Sequence, residues 1–315
     1  MNSPPVLKVR DLKKVYGGKH PYTAVKGISF DLQKGEILGL LGANGAGKTT
    51  TIQMLLSTLK PTSGSIVYFG KDFFTHRSEI LNQVAFASTY VSLPWKLTIE
   101  QNLKVFGRLY GLSNEEIRYG DVLLERFGIL HKKTTALAKL SAGQVTRLML
   151  AKAFMTRPKI ALLDEPTASL DPDMAKDILL FVLEQRDKHE TSILYTSHNM
   201  AEVAEVCDRV LFMQNGNIIA DDVPERLAKS VGISKVTLQV GDGLKRTLAI
   251  AKALNLTCKT EHRSIEFELD EGQIAILLSV LAEAGVIYSH IDIQQPTLED
   301  YFLSIAEQGK KRGVL

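Results

Sequence analysis

The sequence contains no apolar run approaching the ~20 residues needed to cross a bilayer. It has no strong charge excess either, since 38 Lys+Arg stand against 35 Asp+Glu for a formal charge of +3. The basic stripe expected of a nucleic-acid binder is therefore missing. Only two cysteines occur, Cys207 and Cys258, far apart and without metal-ligand spacing. They build no disulfide framework, which points to a reducing compartment. The opening Met1-Asn2-Ser3-Pro4-Pro5 lacks the charged and apolar regions of a signal peptide. Repeats and low-complexity tracts are absent. These absences predict a chain that is soluble by itself and meets a membrane only through a partner. At 315 residues it has room for about two domains.

The most informative stretch is Gly42-Ala-Asn-Gly-Ala-Gly-Lys-Thr49, which fits the phosphate-loop pattern. The apolar run Ile37–Leu41 before it predicts a buried strand, and Thr50–Leu59 after it predicts a helix ending before Pro61. Gly42, Gly45 and Gly47 let the backbone turn so that successive N–H groups face a polyphosphate. The helix start adds unpaired N–H groups and a positive dipole end. Lys48 has the reach for the β- and γ-phosphates, and the Thr49 hydroxyl is suited to Mg²⁺.

Strands are also predicted at Val6–Leu12, Gly27–Leu32 and Ser65–Phe69, with Tyr16 and Tyr22 in a glycine-rich connection between the first two. An aromatic there either stacks on an adenine ring or is a plain surface turn residue; spacing alone does not choose. The region from about 98 to 158 reads as mostly helical. Within it Ser141 followed by Gln144 is a capping box that opens a helix running to Phe154. Small residues at Ala142 and Gly143 leave that helix start open to an anion.

Ile160–Leu163 reads as a buried strand that ends on Asp164-Glu165. In a doubly wound sheet this places both carboxylates at the ligand-binding edge. Asp164 suits Mg²⁺, and Glu165 suits the orientation and deprotonation of an attacking water. Ser192–Thr196 is a third such strand, delivering Ser197-His198, and His198 is a candidate γ-phosphate contact. Asn215-Gly216 marks a hairpin. Beyond about residue 225 the order β-α-β-β-α-β suggests a small ferredoxin-like domain.

In this order the motifs of the first 220 or so residues resemble the nucleotide-binding domain of an ABC transporter. Gly42–Thr49 is similar to the Walker A loop, Leu140–Gln144 to the LSxGQ stretch and Ile160–Glu165 to the Walker B strand. Ser169-Leu170-Asp171 resembles the D-loop, His198 the switch histidine and Tyr16 the adenine-stacking aromatic. The resemblance implies an α/β P-loop NTPase core with antiparallel β and helical subdomains over residues 1–225, then an accessory α+β domain over 226–315. It implies contacts to ATP from Tyr16, Gly42, Asn44, Gly45, Ala46, Gly47, Lys48, Thr49, Thr50, Ser141, Gly143, Gln144 and Asp171. Thr49 and Asp164 would hold Mg²⁺, while Glu165, His198 and Lys48 carry the chemistry. Two copies would pair head to tail, so that Ser141 and Gly143 of one contact the γ-phosphate held by Lys48 of the other.

Two departures from the family pattern stand out. Ala142 replaces the usual glycine of LSxGQ, and no glutamine occupies the Q-loop position, which falls near Thr89. Ser88 or Thr89 would have to serve Mg²⁺ or the attacking water through a hydroxyl, or else metal contact is weaker or coupling altered. The ending Gln295-Pro296-Thr297-Leu298-Glu299-Asp300-Tyr301-Phe302 resembles drug-exporter ATPases, whose membrane permease is a separate chain. The expected function is thus the ATP-hydrolysing subunit of a bacterial exporter, cytoplasmic and peripheral on the membrane's inner face, with no nucleic-acid partner. The alternatives are a soluble ABC ATPase acting on ribosomes or DNA, and a weakly hydrolysing nucleotide-binding regulator.

Overall fold

The computed structural model describes residues 4–88 and 93–311. The chain forms two compact units, divided between Val223 and Pro224, each with its own apolar core.

The first unit opens with β1 (Leu7–Tyr16) and β2 (Tyr22–Leu32), an antiparallel pair in which Tyr16 faces Tyr22. Both strands are longer than expected. The turn residues are confined to Gly17–Pro21, so the two tyrosines close the hairpin instead of lying in a connection between shorter strands. Next come β3 (Ile37–Leu41), buried throughout, and α1 (Lys48–Leu55). This helix begins and ends earlier than its sequence suggests. Ser57 takes φ of 56°, and the Thr58 and Leu59 N–H groups turn back to the Gln53 carbonyl, ending the helix well before Pro61. Strands β4 (Ser63–Tyr68) and β5 (Lys71–Asp72) complete an antiparallel sheet of order β2-β1-β4-β5.

After α2 (Arg77–Leu81) and β6 (Val84–Ser88) the chain becomes helical: α3 (Ile99–Leu109), α4 (Asn114–Arg126) and α5 (Ala142–Phe154). Each of these three opens on a complete capping box, from Thr98, Ser113 and Ser141, so two otherwise orphaned donors are satisfied reciprocally. Close approach of α3 to α4 requires glycine at 107, where a Cβ would sit 2.4 Å from the Ile117 side chain.

The chain then alternates: β7 (Ile160–Asp164), α6 (Pro172–His189), β8 (Ser192–Thr196), α7 (Met200–Val206), β9 (Arg209–Gln214) and β10 (Asn217–Asp222). Asn215 and Gly216, at φ of 48° and 79°, make the tight hairpin between the last two strands. The central sheet has the order β10-β9-β3-β8-β7-β6, parallel except for β10. Phe181 of α6 meets Phe127 and Phe154 edge-on at 4.9 Å each, tying the helical region to the sheet layer. Such aromatic pairs contribute roughly 0.5–1.5 kcal/mol each beyond area burial.

The second unit starts with α8 (Pro224–Lys229) and continues as β11 (Ser234–Asp242), α9 (Leu244–Ala253), β12 (Thr257–Glu261) and β13 (Ser264–Leu269). It ends with α10 (Glu271–Glu283), β14 (Ile287–Gln294) and α11 (Leu298–Lys311). From β11 to β14 this is β-α-β-β-α-β, with the antiparallel order β12-β13-β11-β14. That is the ferredoxin-like arrangement. Val236, Leu238, Ile265 and Phe267 pack with Ala251, Leu277 and Leu281 in its core.

Candidate functional site

Four parallel strands end at one edge of the central sheet and deliver the motif residues there. The loop after β3 carries Gly42 at φ of 147°, Gly45 at 81° and Gly47 at 109°. Two of these glycines are also fixed by crowding. A Cβ on Gly42 would lie 2.3 Å from the Met213 carbonyl oxygen, and one on Gly47 would lie 2.7 Å from that of Ala24. The loop is therefore clamped between β9 and β2. Its end, Gly47, caps α1 without any side-chain acceptor, so the first N–H groups of the helix have no capping side chain. Lys48 Nζ donates to the Gly42 carbonyl at 2.6 Å and the Ala43 carbonyl at 3.3 Å. Burial pulls its pKa down, against the opposing charges of Glu165 and Asp164.

A cleft of about 300 Å³ lies over this loop, lined by Asn44–Thr50 together with Tyr16, Tyr22 and Ala24. Tyr16 and Tyr22 enter it side by side, a consequence of their pairing across the hairpin. The Tyr22 hydroxyl donates to the Gly45 carbonyl at 3.4 Å, and Lys14 sits over the Tyr16 ring at 5.3 Å. Spacing did not choose between the tyrosines and the family resemblance favoured Tyr16; the hairpin register places both aromatics at the cleft.

Strand register builds the acidic centre. Ser88, Asp164 and Thr196 are adjacent across β6, β7 and β8. The buried Asp164 accepts from the Ser88 hydroxyl at 3.2 Å and from the Thr196 hydroxyl at 2.7 Å. Ser88 thus acts on Asp164. Thr89, the other hydroxyl expected near the missing glutamine, lies outside the described residues. Glu165 leaves the strand at φ of 54°, a left-handed conformation that costs about 1 kcal/mol for a residue with a Cβ. Its carboxylate pairs with His198 Nδ1 at 2.7 Å, while most of the imidazole is exposed.

Asp164 and Thr49 offer the oxygen ligands that Mg²⁺ prefers, and such sites are commonly completed by substrate phosphates and water. The residues therefore fit a magnesium nucleotide.

Ser141, Gly143 and Gln144 take no part in these contacts among the described residues. Ser141 and Gln144 cap each other at 3.3 and 3.0 Å. At Gly143 a Cβ would lie 2.8 Å from the Ser169 carbonyl oxygen, so this helix start rests directly on the segment before Asp171. Asp171 itself caps α6 by accepting from the Met174 N–H at 3.0 Å.

Glu202 was not foreseen from the sequence. Its carboxylate collects hydroxyls from Thr167 at 2.7 Å, Ser197 at 3.2 Å and Tyr195 at 3.3 Å, and the Asn199 amide at 3.1 Å. These donors flank Glu165 and His198, so Glu202 fixes the spacing of the two segments that carry them. Glu202→Leu is expected to lower steady-state ATP turnover by about 10- to 10²-fold through misplacement of that pair. Nucleotide affinity, read in an equilibrium binding titration, should change little.

A family model described as ABC transporter matches residues 25–168. The linearmycin resistance ATP-binding protein LnrL of Bacillus subtilis is 30% identical, covering 95% of this chain and 98% of that protein. The Nod factor export ATP-binding protein I of Ralstonia nicotianae is 33% identical over 97% of this chain and 95% of its own length. A solved structure of an ABC transporter's ATP-binding subunit, 28% identical, superposes with a TM-score of 0.66. That match covers 72% of this chain and 93% of the other.

Proposed function

This chain belongs to the ATP-binding family of ABC transporters, and on that premise we propose that it drives export by hydrolysing ATP beneath a separate membrane permease. The observation that carries the reading is the convergence at one sheet edge of an uncapped helix start with Lys48, the held Asp164 and the Glu165–His198 pair.

The loop N–H groups and Lys48 hold the polyphosphate, and Tyr16 with Tyr22 flanks the base. Bound through Thr49 and Asp164, Mg²⁺ would neutralise charge on the β- and γ-oxygens. Ser88 and Thr196 fix the Asp164 carboxylate for that task. Glu165 orients the attacking water and takes its proton, and His198, bonded to Glu165, sits where the γ-phosphoryl departs. Preorganised donors of this kind supply the largest share of the rate in phosphoryl transfer. A second copy would complete the site by bringing Ser141 and Gly143 against the γ-phosphate, with Gln144 and Asp171 beside them. ATP would then hold two copies head to tail, and hydrolysis would part them.

Among the described residues, no helix is long and apolar enough to cross a membrane. Attachment to the inner face of the cell membrane therefore rests on the permease. The export named for the Ralstonia relative and the antibiotic resistance named for the Bacillus one favour this reading over an ATPase acting on ribosomes or DNA. Affinity purification of the chain from detergent-solubilised membranes of its own cells tests the proposal. We expect an integral membrane subunit in near-stoichiometric yield. Recovery only from the soluble fraction, bound to ribosomes or DNA, would overturn it.

A further inference from the structure

The edge of the central sheet opposite the nucleotide site holds a larger cleft, about 540 Å³, within the first unit. Its walls come from the residues that precede β1, β3, β7 and β8, together with α4 and the end of α6. This volume falls in the range of small-molecule sites.

Two cations enter the cleft from the connection between α5 and β7. The Arg157 guanidinium lies over the Tyr119 ring at 4.6 Å, and Lys159 Nζ over the Phe69 ring at 5.5 Å. The rings restrict both side chains without neutralising them. Neither cation forms an ion pair among the described residues. Glu116, which feels the Arg157 charge from a distance, is occupied in capping α4. A third cation, Lys34, is already bound to Glu190 at 2.6 Å.

An independent observation comes from Gln185. It is 7% exposed and lines the cleft, yet its side-chain amide makes no hydrogen bond among the described residues. Its backbone carbonyl is used, accepting from the Glu190 and Thr191 N–H groups. The neighbouring hydroxyls are also committed, Thr191 to the Pro158 carbonyl and Ser192 to the Gly35 N–H. Among the described residues Asn102 Oδ1 is the one buried side-chain polar atom without a partner, so the Gln185 amide is not sealed off but opens onto the cleft, where it is free to meet a ligand.

We propose that this cleft is a second ligand site, which binds a small phosphate monoester through Arg157, Lys159 and the Gln185 amide. The guanidinium offers paired donors to the phosphate oxygens, Lys159 adds a point charge, and Gln185 contributes a neutral donor. Because β7 and β8 start at this cleft and end at Asp164 and Thr196, a ligand here braces the strands that carry the catalytic edge.

Isothermal titration of the full chain with glycerol phosphate, in saturating Mg·ADP to occupy the phosphate loop, tests the site. We expect saturable one-to-one binding. Arg157→Ala, Lys159→Ala and Gln185→Leu should each weaken it about 10-fold or more, with thermal midpoints confirming folded variants. A parallel arm uses phosphatidic-acid vesicles; co-sedimentation lost in the same variants would assign the monoester to a lipid headgroup. The proposal fails if neither probe binds in the millimolar range, or if binding persists in the Arg157→Ala/Lys159→Ala double variant.

Discussion

Glu165→Gln should leave a protein that binds ATP but turns it over about 10²–10⁴-fold more slowly, the usual loss when a positioned general base is removed. The substitution keeps the side chain's volume, and the amide oxygen still accepts the bond from His198 Nδ1 that the carboxylate takes at 2.7 Å. The strained φ of 54° belongs to the backbone and is unaffected. What disappears is the capacity to take a proton from water. Lys48, Asp164 and the loop N–H groups remain, so nucleotide affinity should persist. With hydrolysis blocked, any head-to-tail pair closed by ATP should accumulate. Steady-state phosphate release and sedimentation with and without Mg·ATP read the two effects separately. Unchanged turnover would remove Glu165 from the role of base. Lost turnover without an ATP-dependent dimer would instead count against the shared site.

The parts of this site that were legible in the sequence are those encoded over short spans. The phosphate loop needs its strand before and its helix after, and all lie within Ile37–Leu55. The Ser141 capping box spans three residues, and the helix it predicts ends at Phe154 as read. The order β-α-β-β-α-β of the second unit follows from alternating apolar periods and turn residues. What escaped depends on register between segments distant in sequence. Nothing local tells Ser88 that it will face Asp164, 76 positions on, or gathers Thr167, Tyr195 and Ser197 around Glu202. The pairing of Tyr16 with Tyr22 was missed for a different reason. Gly17-Gly18 suggested a longer loop, whereas the strands continue up to those glycines.

Register also bears on the missing glutamine. With Ser88 and Thr196 donating to both Asp164 oxygens, the carboxylate is held from the two neighbouring strands and needs no further residue to orient it. The link that a glutamine would make from this edge towards the proposed permease is a separate matter, one of coupling and not of holding the acid. Gly143 illustrates a similar division. Its small size is demanded within the chain by the Ser169 carbonyl 2.8 Å from a would-be Cβ. The small size of that helix start thus follows from a packing requirement inside the chain, whatever a second copy would ask of it.

Gly42→Ala should unfold the first unit at a much lower temperature while leaving the second unit's transition in place. Two independent penalties fall on this residue. Its φ of 147° is a conformation that side chains rarely adopt, costing of order 1–3 kcal/mol. Its Cβ would also sit 2.3 Å from the Met213 carbonyl oxygen, a backbone atom. Met213 cannot easily retreat, because it pairs with Ile218 in β10 and its strand pairs with β3. Overpacking against such a neighbour adds about 1–3 kcal/mol. For a unit of this size each kcal/mol is worth roughly 2–4 °C, so the sum predicts a fall of about 10 °C. Gly45→Ala is the control. It has a φ of 81° but nothing within 4 Å of its Cβ, so it should lose only about 1 kcal/mol. Calorimetry resolves the two units by their separate transitions. Equal shifts for the two variants would show that backbone strain alone makes these positions glycine, and that the clamp between β9 and the phosphate loop contributes nothing.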